Sequence, residues 1–189
     1  YALLWTVLLL VLPLCLTSPQ LLVYQYESWA NMMAADQAAS YGLSVMGWVQ
    51  KWFGAGHLKT EVTIAGIILF FLPFARYRMY QHPIFRLLIL AFILLWVIIF
   101  NHKAESATFI IAVAGIAIWY FAEKATTLRT ILFWSAFVLA SLSTTELFIA
   151  IRDEVTDPLA LKPFGCIVIW VAIFVRLMTL KQAHLAKTV

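Results

Sequence analysis

FNHKAESAT, residues 100–108, separates two apolar runs, residues 84–100 and 109–122. Each run is long enough to form most of a membrane span. The polar gap is too short for a folded domain, so we expect the two runs to form an antiparallel helical hairpin with the charged residues at its tip. Polar groups in that place lie where the membrane meets water. We therefore expect the chemistry of the chain to lie near this tip.

The composition is typical of an integral membrane protein. Of the 189 residues, 64% are hydrophobic and 12% are charged, whereas soluble domains average about 25% charged residues. A bilayer core offers no water to backbone groups, and continuous apolar runs favour helices over a closed barrel. We expect an all-α fold: a polytopic membrane helix bundle with about six transmembrane helices plus interfacial amphipathic helices.

The apolar runs and the segments between them define the organisation. Residues 18–60 mix aromatic and polar side chains at helical spacing, which predicts short helices lying along the extracytoplasmic interface. We expect residues 1–189 to form a single transmembrane domain and, because Tyr1 begins within an apolar run, to be the C-terminal part of a larger membrane protein. The expected spans are residues 1–17, 62–75, 84–100, 109–122, 130–151 and 163–175.

The basic residues predict the orientation. Alternate sides of the six spans carry unequal numbers of Lys and Arg, and the richer side is expected to face the cytoplasm. Segment 18–60, the 100–108 tip and the 152–162 loop then face outward together and could form one site. The richer side carries eight of the 13 basic residues: Arg76, Arg78, Arg86, Lys124, Arg129, Arg176, Lys181 and Lys187.

Several classes of site are disfavoured. Cys15 and Cys166 lie inside apolar runs, which favours small buried side chains over a disulfide or metal site. The net charge of +4 comes from basic residues scattered beside spans, so we expect no nucleic-acid partner. The sequence contains no phosphate-cradling glycine-rich loop, zinc-ligand spacing or nucleophile elbow. Soluble nucleotide chemistry is therefore disfavoured, and neither a cofactor nor a divalent metal is indicated.

The tip offers groups for an anionic ligand. Lys103 could place a point charge on a phosphate, and His102 could donate a hydrogen bond to it. Glu105 could orient one of them, act as a base or bind a metal ion. The alternative is a solvated hairpin turn whose charges only fix the ends of the spans.

The fifth run and the loop after it contain further candidates. Glu146 lies near the outward end of that run, and ionisable groups within spans are often functional because they are costly to bury. It could equally pair with Arg152. Arg152 itself could contact a phosphate, or it could belong to a solvated connection.

Segment 18–60 contains candidate sugar contacts. Asp36, Gln37 and Ser44 lie near aromatic residues such as Trp29, and hydroxyl or amide groups beside aromatic faces suit carbohydrate recognition. The alternative is that the tryptophans are ordinary interfacial anchors.

Two stretches together resemble glycosyltransferase family 87, the bacterial polyprenyl-phosphate-dependent mannosyltransferase-like membrane proteins. They are SWANMMAADQAASYGLSVMGWV, residues 28–49, and FNHKAESATFIIAVAGIAIWYF, residues 100–121. The resemblance covers most of the chain but corresponds to the C-terminal half of such a protein. It implies a GT-C architecture in the bacterial cytoplasmic (inner) membrane, with the active site on the extracytoplasmic face.

The resemblance also implies a reaction: inverting transfer of a hexose, mannose in the family description, from a polyprenyl-phosphate sugar to a carbohydrate or glycolipid acceptor. The acidic general base would lie in the first outer loop of the full protein, outside this chain, so we assign no catalytic residue. We expect donor-phosphate contacts from Lys103, His102 and Arg152, a polar site wall from Glu105, Ser106 and Glu146, and sugar or acceptor contacts from Trp29, Asp36, Gln37 and Ser44.

A second class of function is a non-catalytic membrane subunit or scaffold whose interfacial helices dock a partner. That partner could be a missing N-terminal half or another protein subunit. A transporter is less favoured, because the sequence lacks internal repeats and a charged or glycine-interrupted site in the middle of a span.

Overall fold

The structure, a computed structural model, describes residues 1–39, 41–141 and 158–180. These residues form helices joined by turns and contain no strand, which confirms the all-α prediction. The chain divides into two compact units, Tyr1–Ser40 and Tyr41–Val189.

The first unit is a pair of helices. Helix α1 (Ala2–Val11) continues into a 3-10 turn (Leu12–Cys15), and helix α2 (Pro19–Ala39) follows. The second residue of the turn is Pro13, whose missing N–H cannot continue the α-helical ladder. The Tyr26 hydroxyl donates to the carbonyl of Leu10 at 2.6 Å, so the two helices are held side by side.

The predicted interfacial segment, residues 18–60, is divided between the two units. Its first part is the single 21-residue helix α2, on which polar and apolar side chains are mixed around the axis. The prediction of a short amphipathic helix is therefore wrong for α2. It is correct for α3 (Val45–Phe53), whose apolar and polar side chains fall on opposite faces. Segregation of this kind lets one face pack while the other meets water.

The second unit begins with α3 and contains five further helices whose bounds follow the apolar runs closely. The α5–α6 hairpin is present as predicted, with the polar stretch at its tip. The fifth run is helical as far as Ser141, and its remainder lies outside the described residues. The helices are α4 (Lys59–Phe71), α5 (Pro83–Ile99), α6 (Phe109–Phe121), α7 (Thr127–Ser141) and α8 (Leu161–Thr179), with 3-10 turns at Gly56–Leu58, Leu72–Ala75, Tyr77–Gln81 and Ser106–Thr108.

Helices α5 to α8 form the core of this unit. Helix α5 packs on α6 and α8, and α7 packs on the same two helices, so four helices enclose one interior. Their buried residues recur every three or four positions, which places them on one face of each helix. The rings of Phe92 and Trp170 stack at 4.9 Å across this interior. The fully or almost fully buried residues include Phe85, Leu88, Phe92, Leu95 and Ile99 of α5, and Cys166, Ile169, Ile173 and Leu177 of α8.

Helix α4 packs against the outer side of α5 through aromatic contacts. The ring centres of Phe70 and Trp96 are 4.4 Å apart. The indole N–H of Trp96 donates to the carbonyl of Gly66 at 3.0 Å. The ring of Phe100 occupies the space where a side chain at position 66 would lie, since a Cβ there would be 2.1 Å from Cε1 of Phe100. The small residue in α4 therefore permits this close approach.

Two of the described helices are long and apolar enough to cross a membrane, judged by length and composition. They are α8, with 19 residues, and the 20-residue stretch Gly56–Ala75 that contains α4. The other apolar helices are shorter: Leu3–Cys15, Pro83–Ile99, Ser106–Phe121 and Thr127–Ser141.

A three-residue ion network joins the turn after α6 to α7 and α8. Glu123 accepts a hydrogen bond from Arg129 at 2.8 Å and another from Nε of Arg176 at 2.8 Å. Burial raises the pKa of Glu123, but the hydrogen bonds and charges of Arg176 and Arg129 outweigh it, so the pKa lies below its usual value of 4.5. The carboxylate therefore helps to hold this end of the bundle together.

The last carbonyls of α8 have no partner within the helix. Arg76, in the connection between α4 and α5, donates to the carbonyls of Leu177 and Leu180. This contact fixes the α4–α5 connection against the end of α8.

We predict that Glu123 makes the bundle sensitive to acid. Because its pKa is lower in the folded state, its contribution is present above pH 4.5 and is lost as the pH falls through the folded pKa. Thermal unfolding of the detergent-solubilised protein between pH 7 and pH 3 should show a smaller loss of Tm for Glu123→Gln than for the wild type. Glu61→Gln, a substitution at an exposed position, serves as the control and should follow the wild type. Equal acid dependence of Glu123→Gln and the wild type would contradict this role.

Candidate functional site

The FNHKAESAT stretch forms a tight reversal between α5 and α6. The side-chain oxygen of Asn101 accepts from the backbone N–H of Lys103 at 2.9 Å, and the Asn101 carbonyl accepts from Ala104 at 3.1 Å. The Thr108 hydroxyl donates to the carbonyl of Glu105 at 2.7 Å and closes the turn that starts α6. With the backbone held in this way, the side chains of Lys103 and Glu105 are exposed.

The segment before α3 packs on this tip. Gly42 adopts a left-handed φ of 54°, and a Cβ there would lie 2.2 Å from the carbonyl oxygen of His102. The N–H of Leu43 points at the carbonyl of Ala104 at 3.5 Å. A glycine is required here because it supplies both the backbone conformation and the space.

Ser44 caps the N-terminus of α3. Its hydroxyl accepts from the N–H of Gly47 at 3.3 Å and donates to the carbonyl of Tyr41 at 2.6 Å. The residue is fully buried, so its side chain satisfies the helix terminus and does not reach a ligand in this conformation. The sugar contact of Ser44 stays a prediction.

Lys162, at the start of α8, is the buried cation of this end. It is only 2% exposed, and its ammonium donates to the hydroxyl of Ser106 at 2.5 Å and to the Ser106 carbonyl at 3.3 Å. The ammonium also lies 5.0 Å from the centre of the Phe109 ring, a cation–π contact. These contacts join α8 directly to the hairpin tip.

An aromatic cluster holds α3 on the same end of α8. Trp48 and Trp52 both stack on Phe164, with ring centres 5.8 and 6.1 Å apart. The indole N–H of Trp52 donates to the carbonyl of Leu159 at 2.6 Å. Within the second unit, the segment after residue 41, the tip and the start of α8 therefore meet. Of the residues predicted to converge with them, Trp29 lies in the first unit and Arg152 lies outside the described residues.

A groove of about 520 Å³ runs from this meeting point along α6 and α7. Its head carries Ser106 and the buried Lys162, and Ser141 adds a further polar residue to the lining. The rest of the walls is apolar, with Val113 on α6 and Phe137 on α7. A cation at the head of an apolar groove suits a ligand with an anionic head and a hydrocarbon tail.

The other predicted site residues are placed as follows. Four of them lie together at the tip: Lys103, His102, Glu105 and Ser106. Two others lie on α2 in the first unit, Asp36 and the exposed Trp29. The part of the chain that the structure describes does not include Arg152, Glu146 or the side chain of Gln37. Within that part, no three His, Cys, Asp or Glu side chains form a group able to hold a metal ion.

Lys162 is not among the site residues predicted from the sequence. It lies at the junction of a charged loop and an apolar run, where a basic residue usually meets water and helps to set orientation. The available signal is the following Pro163, which is typical of the first turn of a helix and so places Lys162 near the start of α8. Its burial depends on contacts with α6, which are distant in sequence.

No protein-family model, curated protein or solved structure matches the chain.

We predict that Gly42→Ala destabilises the second unit more than Gly54→Ala. Both positions have a left-handed φ, which costs a non-glycine residue about 1–2 kcal/mol. A Cβ at position 54 meets open space, whereas one at position 42 meets the His102 carbonyl and adds about 1–3 kcal/mol of overpacking. Thermal or denaturant unfolding in detergent measures the difference. Equal losses would contradict the packing of this segment on the tip.

Proposed function

We propose that the chain is the C-terminal part of an integral membrane glycosyltransferase. In this proposal the full-length protein transfers a hexose, mannose if the family resemblance holds, from a polyprenyl-phosphate sugar to an acceptor on the extracytoplasmic side of the bacterial cytoplasmic membrane. The single observation that carries the proposal is the buried Lys162 ammonium at the head of an apolar groove, beside the polar hairpin tip.

The outer surface of the bundle supports the membrane location. Helices α6 and α7 expose large apolar residues on the side that faces away from the core, among them Ile110, Phe121, Leu128, Ile131 and Trp134. Large apolar side chains exposed in this number are unfavourable in water and match lipid. We propose that α5, α6 and α7 cross the bilayer together with α4 and α8, the turns at their ends completing each span. Helix α1 of the first unit would supply the sixth span.

The groove supports a lipid-linked donor. A polyprenyl chain is a branched hydrocarbon that would lie against the apolar walls of α6 and α7, and its phosphate would then meet Lys162 and Ser106. Lys103 and His102, at the same tip, would contact the outer oxygens of the phosphate. Arg152 keeps its proposed role as a further phosphate ligand.

The proposed reaction needs charge stabilisation at the phosphate. An acceptor hydroxyl attacks the anomeric carbon, the bond between that carbon and the phosphate oxygen breaks, and the phosphate leaves with its bonding electron pair. An acidic residue outside this chain would take the proton of the acceptor. Negative charge grows on the leaving phosphate, so a fixed ammonium in a site that excludes water stabilises the transition state more than the bound donor.

We predict that Lys162→Met in the full-length protein weakens donor use. Loss of one charge-assisted hydrogen bond to the phosphate should lower kcat/KM for polyprenyl-phosphate sugar at least tenfold, which corresponds to about 1.4 kcal/mol. Lys103→Ala should raise the KM for the donor by a smaller factor, because its exposed ammonium is screened by water. The measurement is transfer of radiolabelled sugar in proteoliposomes.

Lys51→Met is the matched control, because Lys51 is an exposed basic residue of α3 that does not line the groove. It should retain wild-type kinetics. Ser106→Ala removes the hydroxyl that accepts from Lys162 but leaves the Ser106 carbonyl in place, so it covers the case in which Lys162→Met does not fold. Wild-type turnover and donor affinity in both groove variants would refute the phosphate site, and wild-type values for Lys103→Ala would remove Lys103 from it. Complete lack of transfer by the full-length wild-type protein would favour the scaffold alternative.

A further inference from the structure

A second and larger cavity, of about 720 Å³, lies at the opposite end of the four-helix core. It is bounded by the end of α6, the turn that follows it, the start of α7 and the last turns of α8. This cavity is separate from the groove at the hairpin tip, which lies at the other ends of the same helices. The proposed glycosyl transfer makes no use of it.

The lining carries an excess of positive charge. Among the described residues that line it, Arg129, Arg176 and Lys124 are basic and Glu123 is the one acid. Both oxygens of Glu123 already accept hydrogen bonds from the two arginines. The carboxylate therefore orients the guanidinium groups, while two positive charges in the lining are not neutralised by it.

Arg129 has unused hydrogen-bonding capacity. One of its terminal nitrogens donates to Glu123, another donates to the carbonyl of Trp119, and its guanidinium lies 4.6 Å from the centre of the Trp119 ring. Its Nε–H is buried and meets no acceptor within the described residues. A buried donor without an acceptor is costly, and an oxygen supplied by a bound anion removes that cost.

The remaining wall of the cavity is apolar. Leu128 and Leu132 of α7 face Ala172 of α8 across it, and Ile84 of α5 closes one side. A free inorganic anion gains nothing from such walls. A molecule that carries a phosphate on hydrocarbon chains matches both parts of the lining, and basic pockets between helices on the cytoplasmic side are suited to such head groups.

We propose that this cavity binds an anionic phospholipid, with the lipid phosphate against Arg129, Arg176 and Lys124 and an acyl chain along Leu132 and Ala172. The inference rests on the membrane embedding proposed above and not on glycosyl transfer. Residues 181–189 contain two lysines and no acidic side chain, so their charge does not complement the lining. By joining the α6–α7 turn to the end of α8, the bound lipid stabilises the folded bundle.

The test uses the purified full chain in nanodiscs of phosphatidylcholine, with and without added phosphatidylglycerol. Thermal unfolding should show a Tm increase with the anionic lipid, and native mass spectrometry should show retained phosphatidylglycerol. Inorganic phosphate at the same concentration should produce neither effect. A Tm increase that inorganic phosphate reproduces would assign the site to a free anion and overturn the lipid proposal.

Three variants test whether the response to phosphatidylglycerol arises at this cavity. Ala172→Phe fills the cavity and should abolish the response to phosphatidylglycerol, and Lys124→Gln should weaken lipid retention about fivefold while leaving the Glu123 network intact. Arg78→Gln is the control, since Arg78 is exposed, lies in the connection that leads to α5 at the same end, and does not line this cavity.

Lys124 is exposed, so its variant keeps the test decisive if Ala172→Phe does not fold. Equal responses of Lys124→Gln, Arg78→Gln and the wild type would overturn the proposal, as would equal stabilisation by phosphatidylcholine and phosphatidylglycerol. Failure of the wild-type chain to enter nanodiscs would instead refute the membrane embedding and both proposals with it.

Discussion

The structure depends on one buried charge, the ammonium of Lys162. Taking an ammonium out of water costs several kcal/mol unless other polar groups replace its hydration. Ser106 supplies two oxygens and Phe109 supplies the face of its ring. Since these partners lie on the hairpin tip, α8 can bury its first turn only when it is docked against that tip. The position of α8 in turn sets the position of α3, through Trp52 and the carbonyl of Leu159.

The two ends of the core differ in chemistry although the same helices form both. At the tip, the buried ammonium of Lys162 faces a hydroxyl and an apolar groove. At the other end, Glu123 gathers two arginines around a wider and more basic cavity. A helical hairpin places consecutive turns at opposite ends, so this division follows from the order of polar turns along the chain. The proposed donor site and the proposed phospholipid site are thus separated by the length of the helices.

Much of this arrangement could be predicted from the sequence. The apolar runs predicted the bounds of α5 and α6 to within one residue at each end, because charged or polar residues end each run abruptly. The hairpin tip followed from the short polar gap between two long apolar runs. The length of α2 was not predicted, since the sequence favoured short amphipathic helices and α2 is a 21-residue helix with polar and apolar side chains mixed around its axis. The roles of Lys162 and Ser44 depend on contacts or caps that composition does not reveal.

The most direct test of this account is cysteine accessibility in sealed vesicles, in a background where Cys15 and Cys166 are replaced by alanine. Single cysteines at Lys51, Lys103 and Arg78 would be labelled with a membrane-impermeant maleimide from either side. We predict that Lys51→Cys and Lys103→Cys react from the same side and that Arg78→Cys reacts only from the other. Reaction of Lys103→Cys and Arg78→Cys from one common side would contradict the hairpin crossing and the site built at its tip.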